Sequence, residues 1–433
     1  MNIFFRLINK IVPRINTLSF KAVKALNRVR TGSSPLADRL LADSLRLAEI
    51  PSPTHQEEQR AAFILERLAN LGISPQMDEH GNILVHIPAR FPLDNQALLL
   101  FSDMGSKHWH PLESLTRLDA RYARGAGLAD ILGCAALLSV AESLMEDRLS
   151  SGRDLLLLFA AGSLDDPDGK AFFSISDKPS HFPCAAIGIR GLTLGSVITN
   201  TQGIYRIRVS MSREHLRQNE KEAAKDDEAS KEDGPDIRPE TANQVVDTLI
   251  STARKLSGIT WDSKGTTHFY IRRIEAGTGF GRAPQEGILE IELESSDGAQ
   301  LEMAMNTVRA TAQATAQATA ENPAKTDPPI KTEVNITSFI PVGEQNNNPE
   351  LFKAIWPTVR SVMKDLHIRL REENGADPSA ILSNRGIPAF SVGIAQGWEG
   401  LNTDTIDIAS IEKGRQLIEA LITRMSQIGA AYE

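Results

Sequence analysis

LLLFSDMGSKHWHP, residues 98–111, is the stretch on which the fold turns. Leu98, Leu99 and Leu100 are apolar at consecutive positions, so the strand they imply is buried on both faces. The run stops at Asp103, and His108 and His110 follow. A buried strand that delivers a carboxylate to its end, with two imidazoles beyond it, is one way to build a metal site. The histidines also flank Trp109 just before a proline, in what reads as a loop, where ordinary surface histidines belong.

Outward from that strand, helices and strands alternate. Residues 36–71 have helical apolar spacing broken by EIPSPT (49–54). Pro51 and Pro53 end the first helix there, and Thr54 with Glu57 three residues on reads as a capping box for the next. LGISPQMDEHGNILVHIP reads as strand, turn and strand, LADILGCAALLSVAESLME as a long helix, and DLLLLFAAG as another buried strand. Such alternation predicts an α/β fold, a mostly parallel sheet with helices on both faces.

Near residue 202 the style changes. GIYRIRVSMS, HFYIRRIEA, GILEIELES and TEVNITSFIP alternate in polarity like half-exposed strands. Two helices lie among them, ANQVVDTLISTARKL and the Ala-rich LEMAMNTVRATAQATAQATA. Residues 218–240 are so highly charged that they read as a flexible insertion. From Asn348 the earlier style returns with a helix interrupted by Pro357, the strand RGIPAFSVG and a closing amphipathic helix. The expected organisation is a basic extension at 1–35, an α/β domain at 36–201 and 341–433, and an inserted α+β domain at 202–340.

Composition narrows the class. The 433 residues are 41% hydrophobic and 24% charged, which suits a globular chain with a sizeable core. The net charge of −8 speaks against a nucleic-acid partner. Cys134 and Cys184 sit in apolar strings and read as buried thiols of a reducing compartment, so a cytoplasmic location is expected. No run reaches the ~18 apolar residues of a membrane span. The first thirty residues carry seven Lys/Arg and no Asp or Glu among Phe, Ile and Leu. Residues 1–31 read as a loose extension, as a basic amphipathic segment in weak contact with an anionic membrane surface, or as a transit peptide.

Several strings, in order, resemble the zinc exopeptidase family that includes tripeptide aminopeptidase (peptidase T), aminoacylase and carboxypeptidase G, and most of all its peptidase-T-like branch. They are IPSP (50–53), DEHGNIL (78–84), LADILGCAALL (128–138), DLLLLFAAG followed by GKAF (169–172), and RGIPAFSVG (385–393), with IEAG (274–277) and Pro284 in the inserted region. The resemblance covers roughly residues 36–433. It implies an inserted domain of the dimerisation type, hence a homodimer, and a cleft that takes a peptide ligand. It also implies two zinc ions, bridged by an aspartate, that activate a water whose proton passes to a glutamate.

Carried over residue by residue, that chemistry meets gaps. The resemblance places the five metal-ligand positions at Phe101, Asp130, Leu164, Gly188 and Asn402, and the general base at Ser163. Only Asp130, the bridging position, keeps its carboxylate, and Asp103 remains as a partner of the lost first ligand. Phe, Leu and Gly offer no side-chain donor, and an amide oxygen is a poor zinc ligand. The family's substrate arginine falls on Glu294, its asparagine on Gly281, and its histidine on His215 or Arg217. The expectation is therefore a peptidase-fold pseudoenzyme, kept for binding or as a scaffold, with no zinc cofactor. The alternative is an active hydrolase with a rearranged, carboxylate-rich site for magnesium or calcium built from Asp103, Asp130, Asp165 and Asp166. SLDDPDG (163–169) also reads as a turn. No Gly-x-Ser-x-Gly elbow or Walker-type phosphate loop offers another chemistry.

Overall fold

The computed structural model describes residues 34–52, 56–106, 116–162, 183–213, 243–263, 265–277, 279, 283–320, 330–343, 349–364, 372–375, 377–400 and 402–427. The chain divides into two compact units, Met1–Thr201 with Gly343–Glu433, and Gln202–Val342. In chain order the first unit holds helices α1 (Pro35–Glu49), α2 (Glu58–Asn70) and α3 (Leu128–Met145). Its strands up to the break are β1 (Gln76–Met77), β2 (Ile83–Ile87), β3 (Ala97–Asp103), β4 (Arg117–Leu118), β5 (Tyr122–Gly125), β6 (Asp154–Ala160), β7 (Pro183–Leu194) and β8 (Val197–Thr201). The second unit holds β9 (Gly203–Arg213), α4 (Gln244–Ser257), β10 (Thr267–Ala276), β11 (Glu286–Ser295), α5 (Gly298–Ala320) and β12 (Ile330–Ile340). The first unit resumes with α6 (Pro349–Met363), β13 (Glu372–Gly375), α7 (Ser379–Asn384), β14 (Ala389–Gly393), β15 (Gly397–Trp398), β16 (Asp404–Asp407) and α8 (Ile408–Met425).

Eight strands of the first unit form one sheet in the order β1-β2-β6-β3-β7-β14-β8-β13. The sheet is mixed, with four parallel pairings and three antiparallel ones, so the parallel core that the alternation predicts is flanked by reversed strands. Its centre, β6-β3-β7-β14, is parallel, but β1 and β2 add a hairpin, β2 lies antiparallel to β6, and β8 runs antiparallel to β14. The short links on the β2 and β8 sides reverse the chain, which a crossover helix would not do.

β3 is buried on both faces, which is why its leucines need not alternate with polar residues. Leu98 and Leu100 join the core that α3 covers, with Ile131 and Leu138. Leu99 and Phe101 join a second cluster with Ile381 and Leu382 of α7. α3 is apolar around its whole circumference and is the one described helix whose length and composition suit a membrane span, which the sequence reading did not see. It is a core helix, with Leu132, Cys134, Leu137 and Leu138 almost wholly inaccessible.

Two glycines let α3 lie against backbone. A Cβ at Gly133 would stand 2.2 Å from Ser102 Oγ and 2.4 Å from the Ile189 carbonyl oxygen, and one at Gly191 would stand 1.9 Å from the Ala129 carbonyl oxygen. This seating fixes the N-terminus of α3 beside the ends of β3 and β7. The expected capping box at α2 does not form. Glu57 holds the N-cap position without a side-chain cap, its Oε1 accepting instead from the Gly162 N–H at 3.1 Å. Thr54 lies outside the described residues, and Cys184 is half-buried, not buried.

The second unit is a four-stranded antiparallel sheet, β10-β11-β9-β12. Ile207, Val209, Leu289, Ile291 and Leu293 face one way and pack with Val245, Leu249, Leu301 and Val308 of α4 and α5. The alternate residues carry charge across the strands: Arg206 Nε donates to Glu292 at 3.0 Å, Arg272 Nε to the same carboxylate at 3.0 Å, and Arg208 to Glu290 at 2.7 Å. Period-2 alternation thus separates a packed face from an ion-paired one.

The seating of α3 gives a direct test. Gly133→Ala is expected to destabilise the protein by about 1–3 kcal/mol through overpacking against the Ile189 carbonyl. Urea unfolding reads this as a lower midpoint at an unchanged slope.

Candidate functional site

Three strands at the centre of the large sheet bring Phe101, Gly188 and Ser391 side by side. The parallel β3–β7 register pairs Phe101 with Gly188, and the parallel β7–β14 register pairs Gly188 with Ser391. Two of the positions at which the resemblance puts metal ligands are therefore immediate neighbours. Space there is already full. A Cβ at Gly188 would meet Ser391 Oγ at 2.0 Å and the Phe101 ring at 2.8 Å. The Ser391 hydroxyl donates to Asp377 Oδ1 at 2.6 Å, and the same oxygen accepts the Ser379 N–H at 2.9 Å. All of this lies in the interior, with Phe101 4%, Ser391 1% and Asp377 3% exposed.

Beside this packed row, α3 begins at Gly127, whose φ of +65° and close neighbours both call for glycine. The Ser106 hydroxyl lies 2.5 Å, and Asp130 Oδ2 3.8 Å, from where a Gly127 Cβ would be. Asp130 is half-buried in the first turn, where the helix dipole favours a carboxylate. A second carboxylate supports the same helix end, since Asp404 Oδ2 accepts the Ala129 N–H at 3.0 Å in the interior. Asp103, half-buried at the end of β3, accepts through its carbonyl oxygen from Cys134 Sγ at 2.9 Å. Burial pushes the Cys134 thiol up to about 12, against a lowering hydrogen bond to Ser102, so this cysteine stays protonated and is not a nucleophile.

The one buried cation of the region is Arg60, among the described residues. Its Nε donates to the Leu47 carbonyl at 3.0 Å, and its Nη1 to the Met104 carbonyl at 2.6 Å and to Ser106 Oγ at 2.9 Å. Its Nη2 has no hydrogen-bond partner among the described residues, although the side chain is wholly buried. Burial draws the guanidinium down to about 10, while the nearby Cys134, Asp130 and Glu57 favour its charged form, so it carries its charge at neutral pH. Arg60 thus places a fixed positive charge within electrostatic reach of Asp130, held by the backbone just beyond Asp103.

The remaining expected positions scatter. Asn402 is exposed. Ser163, Leu164, Asp165, Asp166, His108, His110, His215, Arg217 and Gly281 lie outside the described residues. Glu294 is on β11 of the second unit, opposite His268 and Ile204. Burial, and then Glu292, hold its carboxyl above the usual range against Arg272, His268 and Arg206. Arg60, Asp377, Ser391 and Asp404 escaped the sequence reading. Arg60 left a signal, because it shares the apolar stripe of α2 with Phe63 and Ile64 and a charge there demands a buried role. Asp404 left none, its helix partner being hundreds of residues away.

No family model matches the chain, and no curated protein sequence matches it. Solved structures do. A tripeptidase from Staphylococcus aureus superposes at a TM-score of 0.63 with 17% identity, over 90% of this chain and 99% of its own. A dinuclear metal-binding peptidase of the M20 family from Bacillus subtilis gives a TM-score of 0.56 with 14% identity, over 89% of this chain and 97% of its own. The dipeptidase Dug1p from Saccharomyces cerevisiae gives 0.61 with 12% identity, over 95% and 99%. This chain has the fold of the M20 peptidases.

Two of the positions at which the resemblance puts zinc ligands, Phe101 and Gly188, do not fit that role. Phe101 and Gly188 supply no donor, and the volume a carboxylate at Gly188 would need is taken by the Phe101 ring and the Ser391 hydroxyl. Among the described residues no three His, Cys, Asp or Glu side chains stand close enough to share a metal ion.

Two outcomes follow from this geometry. Gly188→Asp is expected to cost about 3 kcal/mol or more, by overpacking and by burying a charge, and Phe101→Ala on that background should recover part of it; denaturant titration of both variants checks this. Arg60→Met and Asp130→Asn are expected to be non-additive by about 1 kcal/mol in a double-mutant cycle, because each leaves the other's charge unbalanced.

Proposed function

We propose that this protein is a peptidase-fold binding protein or scaffold in which zinc-dependent peptide hydrolysis has been lost. One observation supports the reading: the interior row Phe101–Gly188–Ser391 is fully packed at Gly188, where the resemblance puts a metal-ligating carboxylate. Arg60 supports it further. A permanent guanidinium charge within electrostatic reach of Asp130 answers part of the electrostatic need that a divalent cation meets in a two-metal site, and it repels a cation that would enter. The ligand in this reading is a peptide, the substrate class that a tripeptidase and a dipeptidase of the same fold take. Gln202–Val342 serves as the dimerisation unit, since β10 and β12 end its described sheet and carry Tyr270, Ile274 and Ile336 with large exposed apolar area.

Metal analysis of the purified protein, run beside a panel of di- and tripeptides, tests the reading. Metal well below one equivalent per chain and no turnover are expected, with or without added zinc, magnesium or calcium. Stoichiometric metal, with turnover abolished in Asp130→Ala, would instead establish a hydrolase with a rearranged site that draws on Asp103, Asp130, Asp165 and Asp166. Light scattering that finds a monomer at all concentrations would remove the dimer.

A further inference from the structure

The small sheet β15-β16-β5-β4 of the first unit has two unlike faces. Ala123 and Ile406 pair in the register and join the core, with Leu118 packed against it. The adjacent row, Arg117, Arg124, Thr405 and Trp398, is turned the other way by the pleat and holds no carboxylate. Trp398 is 53% exposed, and Arg117 is exposed as well. Tyr122, two residues from Arg124 on the same strand, shares this outer face. Its ring meets the Trp398 ring edge-on, with centroids 5.5 Å apart. The guanidinium groups of Arg121 and Arg124 lie 5.0 Å and 5.2 Å from the centre of the Tyr122 ring.

Charge tells what this face meets. The acids that pair with its arginines are Asp119 and Asp407, and both are committed. Asp119 accepts the Arg121 and Tyr122 N–H groups at 2.8 Å and 2.7 Å and pairs with Arg124. Asp407 accepts the Ala409 N–H at 3.1 Å to cap α8, and lies 3.5 Å from Arg121 Nε. Arg117 has no ion-pair partner among the described residues. Arg121 keeps most of its side chain in water. The row therefore carries uncompensated positive charge on a chain whose net charge is −8. Arginine, tyrosine and tryptophan are also the side chains in which binding hot spots are enriched. A guanidinium fork matches a carboxylate, and an aromatic pair covers an apolar side chain. These few cations suit the spaced carboxylates of a peptide. They are too few for the continuous run of phosphates in a nucleic acid, which the net charge also repels.

We infer that this face binds an acidic peptide segment, with its carboxylates on Arg117 and Arg121 and an apolar side chain against Trp398 and Tyr122. The contact is independent of any metal and of any turnover at Asp130.

Calorimetric titration of the full chain with octapeptides in which glutamate alternates with leucine, phenylalanine or proline tests it. The tightest of them is expected to bind at least about tenfold more strongly than its glutamine counterpart, and more weakly as salt rises. Arg117→Gln and Trp398→Ala should each weaken that binding by about tenfold, with the urea midpoint unchanged because both side chains are exposed. Trp398 is one of four tryptophans, so the fluorescence change on binding should vanish in Trp398→Phe. No binding at millimolar peptide, or equal binding of the glutamate and glutamine peptides, overturns the inference. So do Arg117 and Trp398 variants that bind as the parent does, or a fluorescence change that survives in Trp398→Phe, since either moves the peptide elsewhere on the chain. An oligothymidylate that binds more tightly than the best peptide assigns the face to nucleic acid and overturns it as well.

Discussion

Three hydrogen-bonded strands hold Phe101, Gly188 and Ser391 at one level, and the interior has room for one large side chain among them. The parallel pairings fix the level, so no side chain can escape by sliding along its strand. Once a phenyl ring stands at Phe101, its neighbour must lack a Cβ, and the next strand over can offer nothing larger than a hydroxyl. Ser391 then needs a partner in a dry place, and Asp377 supplies it from the start of α7. The composition of this row, and with it the lack of a side-chain donor at Phe101 and Gly188, follows from a single packing constraint.

The charges around the row obey a similar economy of space. α3 lies so close to β3 and β7 that its first turn comes to rest beside the strand ends, where Asp130 and Asp404 bring carboxylates to the helix N-terminus. An interior with several carboxylates requires positive charge. Arg60 provides it from the apolar side of α2, with its guanidinium held by the Leu47 and Met104 carbonyls. The likeness to the solved M20 peptidases is one of fold.

The second unit shows how far alternation alone can take a sheet. Ile207, Val209 and Met211 of β9 and Leu289, Ile291 and Leu293 of β11 pack under α4 and α5, while Arg206 and Arg208 between them pair with Glu292 and Glu290 across the strands. Glu292 accepts from arginines on two neighbouring strands, which holds its carboxyl below the usual range despite partial burial. The first unit has no such division, because its central strands are covered on both faces.

Local sequence was enough to find β3, β6, β14 and α3, since a run such as Leu98–Leu100 or GCAALL is buried whatever lies beside it. It was also enough to see that Phe101 and Gly188 carry no metal donor, a matter of side-chain chemistry alone. Strand direction was not legible, because a strand reads the same whichever way its neighbour runs, and the mixed sheet emerged only from the pairing. Nor was the partnership of Arg60 with Ser106, of Asp404 with α3, or of Ser391 with Asp377. These contacts join segments far apart in the chain, and only packing into a dry interior decides which distant polar groups must meet.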